Sequence, residues 1–223
     1  MTTTIGFSSL RLVFAGVIGA AALALGGQQA NAATIQFDYN IEFSGATPPA
    51  GTPPWLTAVF DDGGGSGSVT LTMSTPGLVG SEFVSSWFFN LDPSLDPSSL
   101  VFAHAGGTEG PADSITQGTN CCKADGDGFY DFRLDVSGFN AGETLVYTIS
   151  LATITASSFD FLSTSGGGNG PFVSAAHVQS IGPGGEESGW VANSNGSVVP
   201  VPAAVWLFGS GLGLLALARR RVA

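Results

Sequence analysis

Apolar and polar side chains alternate through the middle of this chain. Between residues 35 and 43 the alternation is unbroken, with Ile35, Phe37 and Tyr39 separated by polar residues. A period of two is typical of a strand with one buried and one solvated face. Further alternating segments lie at 69–73, 132–136, 145–151 and 159–161, and short apolar runs lie at 55–60, 83–91, 100–103 and 173–178. The pattern therefore predicts a succession of strands with no convincing helical stripe among them.

Segments rich in glycine, proline, serine and aspartate separate these runs, and such residues favour turns. The longest are ATPPAGTPP, DDGGGSGS, DPSLDPSS, HAGGTEGPAD, STSGGGNGP and IGPGGEESG. About nine short strands joined in this way predict an all-β, jelly-roll-like β-sandwich over residues 33–188, followed by a linker at 189–198. We expect its core to include Trp55, Trp87, Phe88 and Phe159.

The N-terminal segment 1–32 has the layout of a signal peptide. Arg11 precedes an apolar stretch at 12–25, and Ala30 and Ala32 form the A-x-A pattern that signal peptidase cleaves. Fourteen apolar residues extend about 21 Å as a helix, which is too short to cross a bilayer core of about 30 Å. The segment therefore predicts export, with signal peptidase as a partner and a cut after Ala32.

Charge is scarce and strongly negative in the predicted body. Only 10% of all residues are charged, and the formal net charge is -11. All 17 acidic residues lie between Asp38 and Glu187, where Lys123 and Arg133 are the basic residues. Nucleic acids and anionic headgroups need basic contacts, so this composition excludes nucleic acid as a partner.

The C-terminal segment 199–223 predicts a membrane span. Residues 203–218 carry no charge, and the stretch from Val199 to Ala218 would reach about 30 Å as a helix. Pro200 and Pro202 stand where a helix begins and a missing N–H costs least. By the positive-inside rule, the arginines at 219–221 would stay in the cytoplasm. With a cleaved signal in front, the body would then lie on the periplasmic side.

The same segment resembles the PEP-CTERM sorting signal in its VPLPA-like variant, found in Gram-negative bacteria that make extracellular polysaccharide. The residues that carry the resemblance are Val199, Pro200, Val201, Pro202, Arg219, Arg220 and Arg221. The resemblance implies that a membrane protease-transpeptidase, an exosortase, recognises this tail and releases or transfers the body. Val201 stands where the commonest form has glutamate, which leaves the exosortase subtype open. The alternative is a plain C-terminal membrane anchor.

An acidic loop is the candidate metal site. Calcium prefers six to eight oxygen ligands from a loop with a glycine turn. Asp125, Asp127 and Asp131 fall at the third, fifth and ninth places of an EF-hand-like loop, but Lys123 and Leu134 occupy the first and twelfth. A calcium site would thus need ligands from elsewhere in the chain. The alternative is an acidic, glycine-rich turn that leads into a strand.

Cys121 and Cys122 are adjacent and are the two cysteines of the chain. In an oxidising exported compartment, we expect them to bridge each other or to link to another chain. A catalytic pair with His104 or His177 has no recognisable motif. The sequence therefore assigns no catalytic residue, and calcium is the sole cofactor it suggests.

These patterns favour an exported protein that is not an enzyme, sorted by its tail and associated with exopolysaccharide in a biofilm. It would be held briefly in the inner membrane, facing the periplasm, before it reaches the cell surface or the exterior. The alternative is a calcium- or carbohydrate-binding β-sandwich module. A hydrolase would need paired carboxylates about 5–10 Å apart in a cleft, a spacing that sequence does not define.

Overall fold

The computed structural model describes residues 33–124, 128–166 and 168–193, and the backbone of residues 197–200. Its strands are β1 (Ala33–Tyr39), β2 (Ile41–Glu42), β3 (Leu56–Asp61), β4 (Ser68–Ser74), β5 (Phe83–Phe89), β6 (Val101–Gly107), β7 (Ser114–Lys123), β8 (Gly128–Asn140), β9 (Thr144–Ser150), β10 (Thr164–Ser165), β11 (Ser174–Ile181), β12 (Glu187–Asn193) and β13 (Ser197–Pro200). Two short 3₁₀ turns lie at Pro97–Ser99 and Ala156–Phe159. The prediction of an all-β fold is confirmed.

The strands form two antiparallel sheets. The first sheet has the order β13-β1-β3-β4-β9-β6. The second has the order β2-β12-β11-β5-β8, and both β7 and β10 also pair with β8. Strands distant in sequence thus become neighbours, and the two sheets curl around a common core.

The core takes alternate side chains from both sheets, as the sequence pattern predicts. Ile35 and Phe37 of β1 belong to the same buried cluster as Phe132 and Leu134 of β8, and each of these side chains is at most 1% exposed. Fully burying an apolar side chain of this size contributes about 1.5–3 kcal/mol to stability. Trp55, Trp87 and Phe159, predicted in the core, belong to this cluster.

Phe88 is buried on the opposite face of the second sheet. Successive residues of a strand point to opposite faces, so Phe88 points away from the core that Trp87 and Phe89 fill. This second apolar cluster consists of Phe43, Phe88, Cys122, Ala124, Tyr130, Phe172, Ala175 and Ala192. Because both faces of β5 are covered near its C-terminal end, Trp87, Phe88 and Phe89 follow one another without alternation.

The region around Phe159 differs from the predicted strand. Phe159 ends the 3₁₀ turn at Ala156–Phe159, and its ring stacks on Phe60 with 4.1 Å between centroids. Thr155 precedes the turn, and its backbone N–H donates to the Ser158 hydroxyl at 3.2 Å in a capping box. Capping favours a helical turn at this point, so the apolar pair 159 and 161 is not part of a strand.

The predicted linker also differs from the structure. Residues 189–193 form the second half of β12, where Val191 and Ala192 are fully buried and pair with β2. The body therefore continues to Asn193 at least. Farther on, β13 pairs antiparallel with β1, with Pro200 opposite Ala33.

Candidate functional site

A cleft of about 210 Å³ lies where β5 ends and β8 begins. We call it the β7 cleft, because the irregular part of β7 forms one of its walls. Its lining includes the side chains of Asn90, Asp92, Asn120, Asp131, Leu162 and Thr164. They come from four separate segments of the chain, so the cleft depends on the tertiary fold.

The wall made by β7 is a large bulge. The pairing with β8 passes from Gln117 opposite Phe132 to Cys122 opposite Tyr130, so residues 118–121 face Asp131 alone. Asn120 has a φ of 52°, in the left-handed region that asparagine tolerates better than most residues. The extra residues carry β7 outward, which opens the cleft.

Asp131 ties two walls of the cleft together. Its Oδ1 atom accepts a hydrogen bond from the Asn120 backbone N–H at 2.9 Å, and its Oδ2 atom accepts one from the Leu91 backbone N–H at 3.0 Å. Bonds to a carboxylate are stronger than those between neutral groups. The arrangement gives Asp131 a structural role, which sequence spacing did not indicate.

The predicted calcium ligands are thus seen in part. Asp125 and Asp127 lie outside the described residues, whereas Asp131 is engaged with backbone amides. Over the ranges that the structure describes, no group of three or more His, Cys, Asp or Glu side chains could hold a metal ion. Each carboxylate oxygen of Asp131 keeps one further lone pair, so the calcium site stays a prediction.

Asp92 gives the cleft its negative character. The backbone N–H of Ser94 donates to its Oδ1 atom at 2.8 Å, and bonds from the Ser94 backbone and side chain lower the pKa of Asp92. Asp92 is therefore ionised at neutral pH. No lysine or arginine occurs among the described residues that line the cleft, so it suits a neutral or cationic ligand better than an anion.

Leu162 adds an apolar surface beside these polar groups. Its side chain is 55% exposed, which makes it one of the large apolar residues that face solvent in the described chain. Asn90, by contrast, is 3% exposed, and its Nδ2 atom donates to the Val173 carbonyl at 3.0 Å. The cleft thus combines fixed polar groups with an exposed apolar side chain.

The cysteines join in a disulfide next to the bulge. Cys121 and Cys122 are bonded to each other, and no free cysteine occurs in the described part of the chain. Cys122 is 3% exposed and packs in the second apolar cluster, whereas Cys121 is exposed. A disulfide has no thiolate, so this pair offers no nucleophile.

Both histidines lie on strands and contact aromatic rings. His177 of β11 stacks on Trp190 with 4.6 Å between centroids, and its Nδ1 atom lies 3.0 Å from the Ser85 hydroxyl. His104 of β6 lies exposed beside Tyr147, 5.7 Å away between ring centroids. These contacts give each histidine a packing role.

Sequence reasoning did not single out Asn90, Asp92, Asn120 or Leu162. The segment DPSLDPSS that contains Asp92 predicts a turn, and a turn is what it forms. Nothing in such a segment shows that it meets β7 and β10. Among the described residues, Asp131 alone belongs both to the predicted site and to the cleft.

Most of the predicted sorting residues lie outside the described part. The backbone of Val199 and Pro200 is in β13, whereas Val201, Pro202 and the arginines at 219–221 are not described. At residues 199–200 the structure therefore has a strand, where the sequence predicts the start of a helix. No helix within the described ranges is long and apolar enough to cross a membrane.

No protein-family model, curated protein or solved structure matches this chain.

Proposed function

We propose that this protein is exported, anchored for a time in the inner membrane by its tail, and sorted by an exosortase to the cell surface or the extracellular matrix. In this proposal it has no catalytic activity and associates with exopolysaccharide. The signal-like segment 1–32 and the tail at 199–223 support the route. The acidic all-β body, which we take to be a jelly-roll-like β-sandwich, supports a role outside the cytoplasm.

The pairing of β1 with β13 supports this proposal beyond what the sequence offers. Ala33, the residue after the expected signal-peptidase cut, lies opposite Pro200, the first proline of the tail motif. Both positions therefore sit at the same end of the first sheet. A body whose two membrane-linked ends leave from one place can be tethered to one bilayer by both, without strain on the sheets between them.

The test is mass spectrometry of the mature protein from a Gram-negative strain that makes exopolysaccharide, beside an exosortase-deficient strain. We expect an N-terminus at Ala33 and loss of the tail in the first strain, and an intact tail in the second. A matched variant replaces Arg219, Arg220 and Arg221 with alanine, which removes the basic end of the signal and leaves the body unchanged. An uncut tail in the first strain would overturn the proposal.

The β7 cleft favours a second candidate function, the binding of a neutral carbohydrate. Sugars present hydroxyl groups beside apolar C–H faces, and protein sites for them pair polar side chains with an apolar surface. In the β7 cleft, the polar side chains are those of Asp92, Asn120 and Thr164, and the apolar surface is that of Leu162. Asp92 is negatively charged, and the lining residues that the structure describes include no lysine or arginine. Both features favour a neutral glycan over an anionic one.

Calorimetric titration with purified matrix polysaccharide, and separately with calcium, tests this function. We expect Asp92→Asn to weaken polysaccharide binding and Asp96→Asn to leave it unchanged. Asp96 is a matched control because its carboxylate accepts from Ser98 as that of Asp92 does from Ser94, yet it does not line the cleft. No heat with either titrant would rule out binding at this site.

A further inference from the structure

Ala33 and Asp62 are joined by two hydrogen bonds at one end of the first sheet, where β1 begins and β3 has just ended. The backbone N–H of Ala33 donates to the Oδ1 atom of Asp62 at 2.9 Å, and the backbone N–H of Asp62 donates to the Ala33 carbonyl at 3.2 Å. Asp62 directly follows β3, which pairs with β1 along its length. The nitrogen that signal peptidase would release is thus already in contact with a carboxylate.

The carboxylate of Asp62 is held in place before any processing. Besides Ala33, the Gly64 backbone N–H donates to its Oδ1 atom at 2.9 Å, and the Ala156 backbone N–H donates to its Oδ2 atom at 3.2 Å. Three backbone amides from three segments therefore fix its position. A group held in this way loses little entropy when it binds a charge.

The surroundings of the Ala33 nitrogen suit an ammonium group. Ala33 and Asp62 line an open depression together with the hydroxyl residues Ser66, Thr155 and Ser157. An α-ammonium has three protons, of which Asp62 accepts one, and hydroxyl oxygens are acceptors for others.

We infer that Asp62 is the binding site for the α-ammonium group that removal of the signal peptide creates at Ala33. The inference depends on the proposed cut after Ala32. Hydrolysis of the Ala32–Ala33 peptide bond consumes one water, leaves a carboxylate on Ala32 and turns the Ala33 amide into an amine, which takes up a proton near neutral pH. A neutral amide hydrogen bond then becomes an ion pair.

Removal of the signal peptide would therefore stabilise the fold where β1 begins and β3 ends. The carboxylate already accepts a charge-assisted hydrogen bond from the Ala33 amide in the precursor, and the ammonium group would add the attraction between two full opposite charges. The new pair would fasten β1 to the end of β3, and β1 is the strand on which β13 docks. The mature body would thus be more stable than the same body in its precursor.

The experiment uses the full-length gene, expressed in an export-competent Gram-negative host, and the processed protein purified from it. The N-terminus is first read by mass spectrometry. Thermal unfolding is then compared for the wild type, Asp62→Asn, an insertion of one serine between Ala32 and Ala33, and the two changes combined. Asp61→Asn is the matched control, because the neighbouring Asp61 carboxylate binds the Gly63 backbone N–H at 2.8 Å instead.

We expect the serine insertion to lower Tm by about 2–4 °C, since it breaks the ion pair. Asp62→Asn should lower Tm further, since it also weakens the hydrogen bonds from the Gly64 and Ala156 N–H groups. The combined variant should lose scarcely more than Asp62→Asn alone, and Asp61→Asn should leave Tm within about 1 °C. Raising the salt concentration should narrow the gap between the wild type and the insertion variant, because salt screens an exposed ion pair.

A second measurement covers the case in which Asp62→Asn does not fold. The rate at which a succinimidyl ester labels the α-amine should be lower in the wild type than in the insertion variant, whose amine lies one residue beyond Asp62. Equal rates, or Tm losses that simply add, would overturn the inference while the export proposal stands. An N-terminus other than Ala33 would overturn the cut position and the inference with it.

Discussion

The carboxylate of Asp131 accepts a hydrogen bond from the backbone N–H of Asn120 at 2.9 Å across the bulge of β7. Four residues of β7 stand opposite this one residue of β8. Without the carboxylate, the bulge would lose its anchor, and the Leu91 N–H at the end of β5 would lose its acceptor too. The Asp131 side chain thus holds two walls of the β7 cleft together.

Replacing Asp131 with alanine should lower the free energy of unfolding by about 1–3 kcal/mol, because the partly buried Leu91 N–H and the exposed Asn120 N–H both lose a charged acceptor. Asp131→Asn, which keeps one acceptor oxygen, should cost less. Urea unfolding monitored by tryptophan fluorescence measures both. As a control, Asp38→Ala removes a carboxylate bound by the Gln36 side chain at 2.7 Å and should cost about 0.5 kcal/mol or less. Equal losses for Asp131→Ala and Asp38→Ala would contradict the anchoring role.

The two cysteines should respond differently to substitution, although either change removes the disulfide. A bond between adjacent residues closes a minimal loop, so it restricts the unfolded chain very little. Cys122→Ser places a hydroxyl in the second apolar cluster and should cost about 1–3 kcal/mol. The exposed Cys121→Ser should cost about 0.5 kcal/mol. Thermal unfolding of both variants compares them directly, and equal losses would show that the bond matters more than the packing.

Glu109 gives a pH-dependent prediction. Burial, together with the nearby Glu143 carboxylate and more weakly Asp113, raises the pKa of Glu109 above its ordinary value of 4.5. A carboxyl whose pKa is raised by folding destabilises the fold when ionised, and this penalty disappears below the unfolded value. Glu109→Gln should therefore raise Tm slightly at pH 7, and the gain should vanish as the pH falls below 4.5.

Tm measured against pH for Glu109→Gln and for the wild type tests that sign. Glu186→Gln is the control, because Glu186 is an exposed residue of the turn between β11 and β12. Its Tm should follow the wild type within about 1 °C at every pH. A gain from Glu109→Gln that persists at low pH would contradict the electrostatic explanation.

Gly128 should not tolerate a side chain. A Cβ atom at this position would lie 2.3 Å from the Thr164 carbonyl oxygen of β10, so one strand must move. Gly128→Ala should cost about 1–3 kcal/mol and displace β10 from the cleft. Gly110→Ala, which meets open space within 4 Å, should be neutral. Chemical denaturation compares the two, and similar stabilities would contradict the close approach of β10 to β8.

Sequence predicted the strands whose two faces differ. In β1 and β9 apolar and polar residues alternate, because one face of each strand packs against the core and the other face is partly exposed. In β7 this signal is lacking, since its sequence SITQGTNCCK is polar on both faces and pairs along one side with β8. The sequence predicts a linker over residues 189–198, whereas residues 189–193 belong to β12, where Val191 is buried. Pattern reasoning thus detects alternating burial on one face. It misses β7, whose side chains are mostly exposed, and β12, whose buried residues do not alternate.

The candidate site was less predictable than the fold. Asp131 was singled out for its spacing from Asp125 and Asp127, yet its contacts are with Asn120 and Leu91. Asn120 is eleven residues from Asp131 along the chain, and Leu91 is forty residues from it. Local spacing carries no information on contacts of this range. The β7 cleft depends on which strands become neighbours, and the sheet order sets that.

The pairing of β13 with β1 has a mechanical consequence. β13 is the outermost strand of the first sheet, and its Pro200 end lies beside Ala33. A pulling force on the chain beyond Pro200 would break the hydrogen bonds between β13 and β1 one after another, starting at Pro200, and not all at once. A pulling experiment on single molecules should therefore show an early, low-force detachment of β13 that leaves the remaining strands folded.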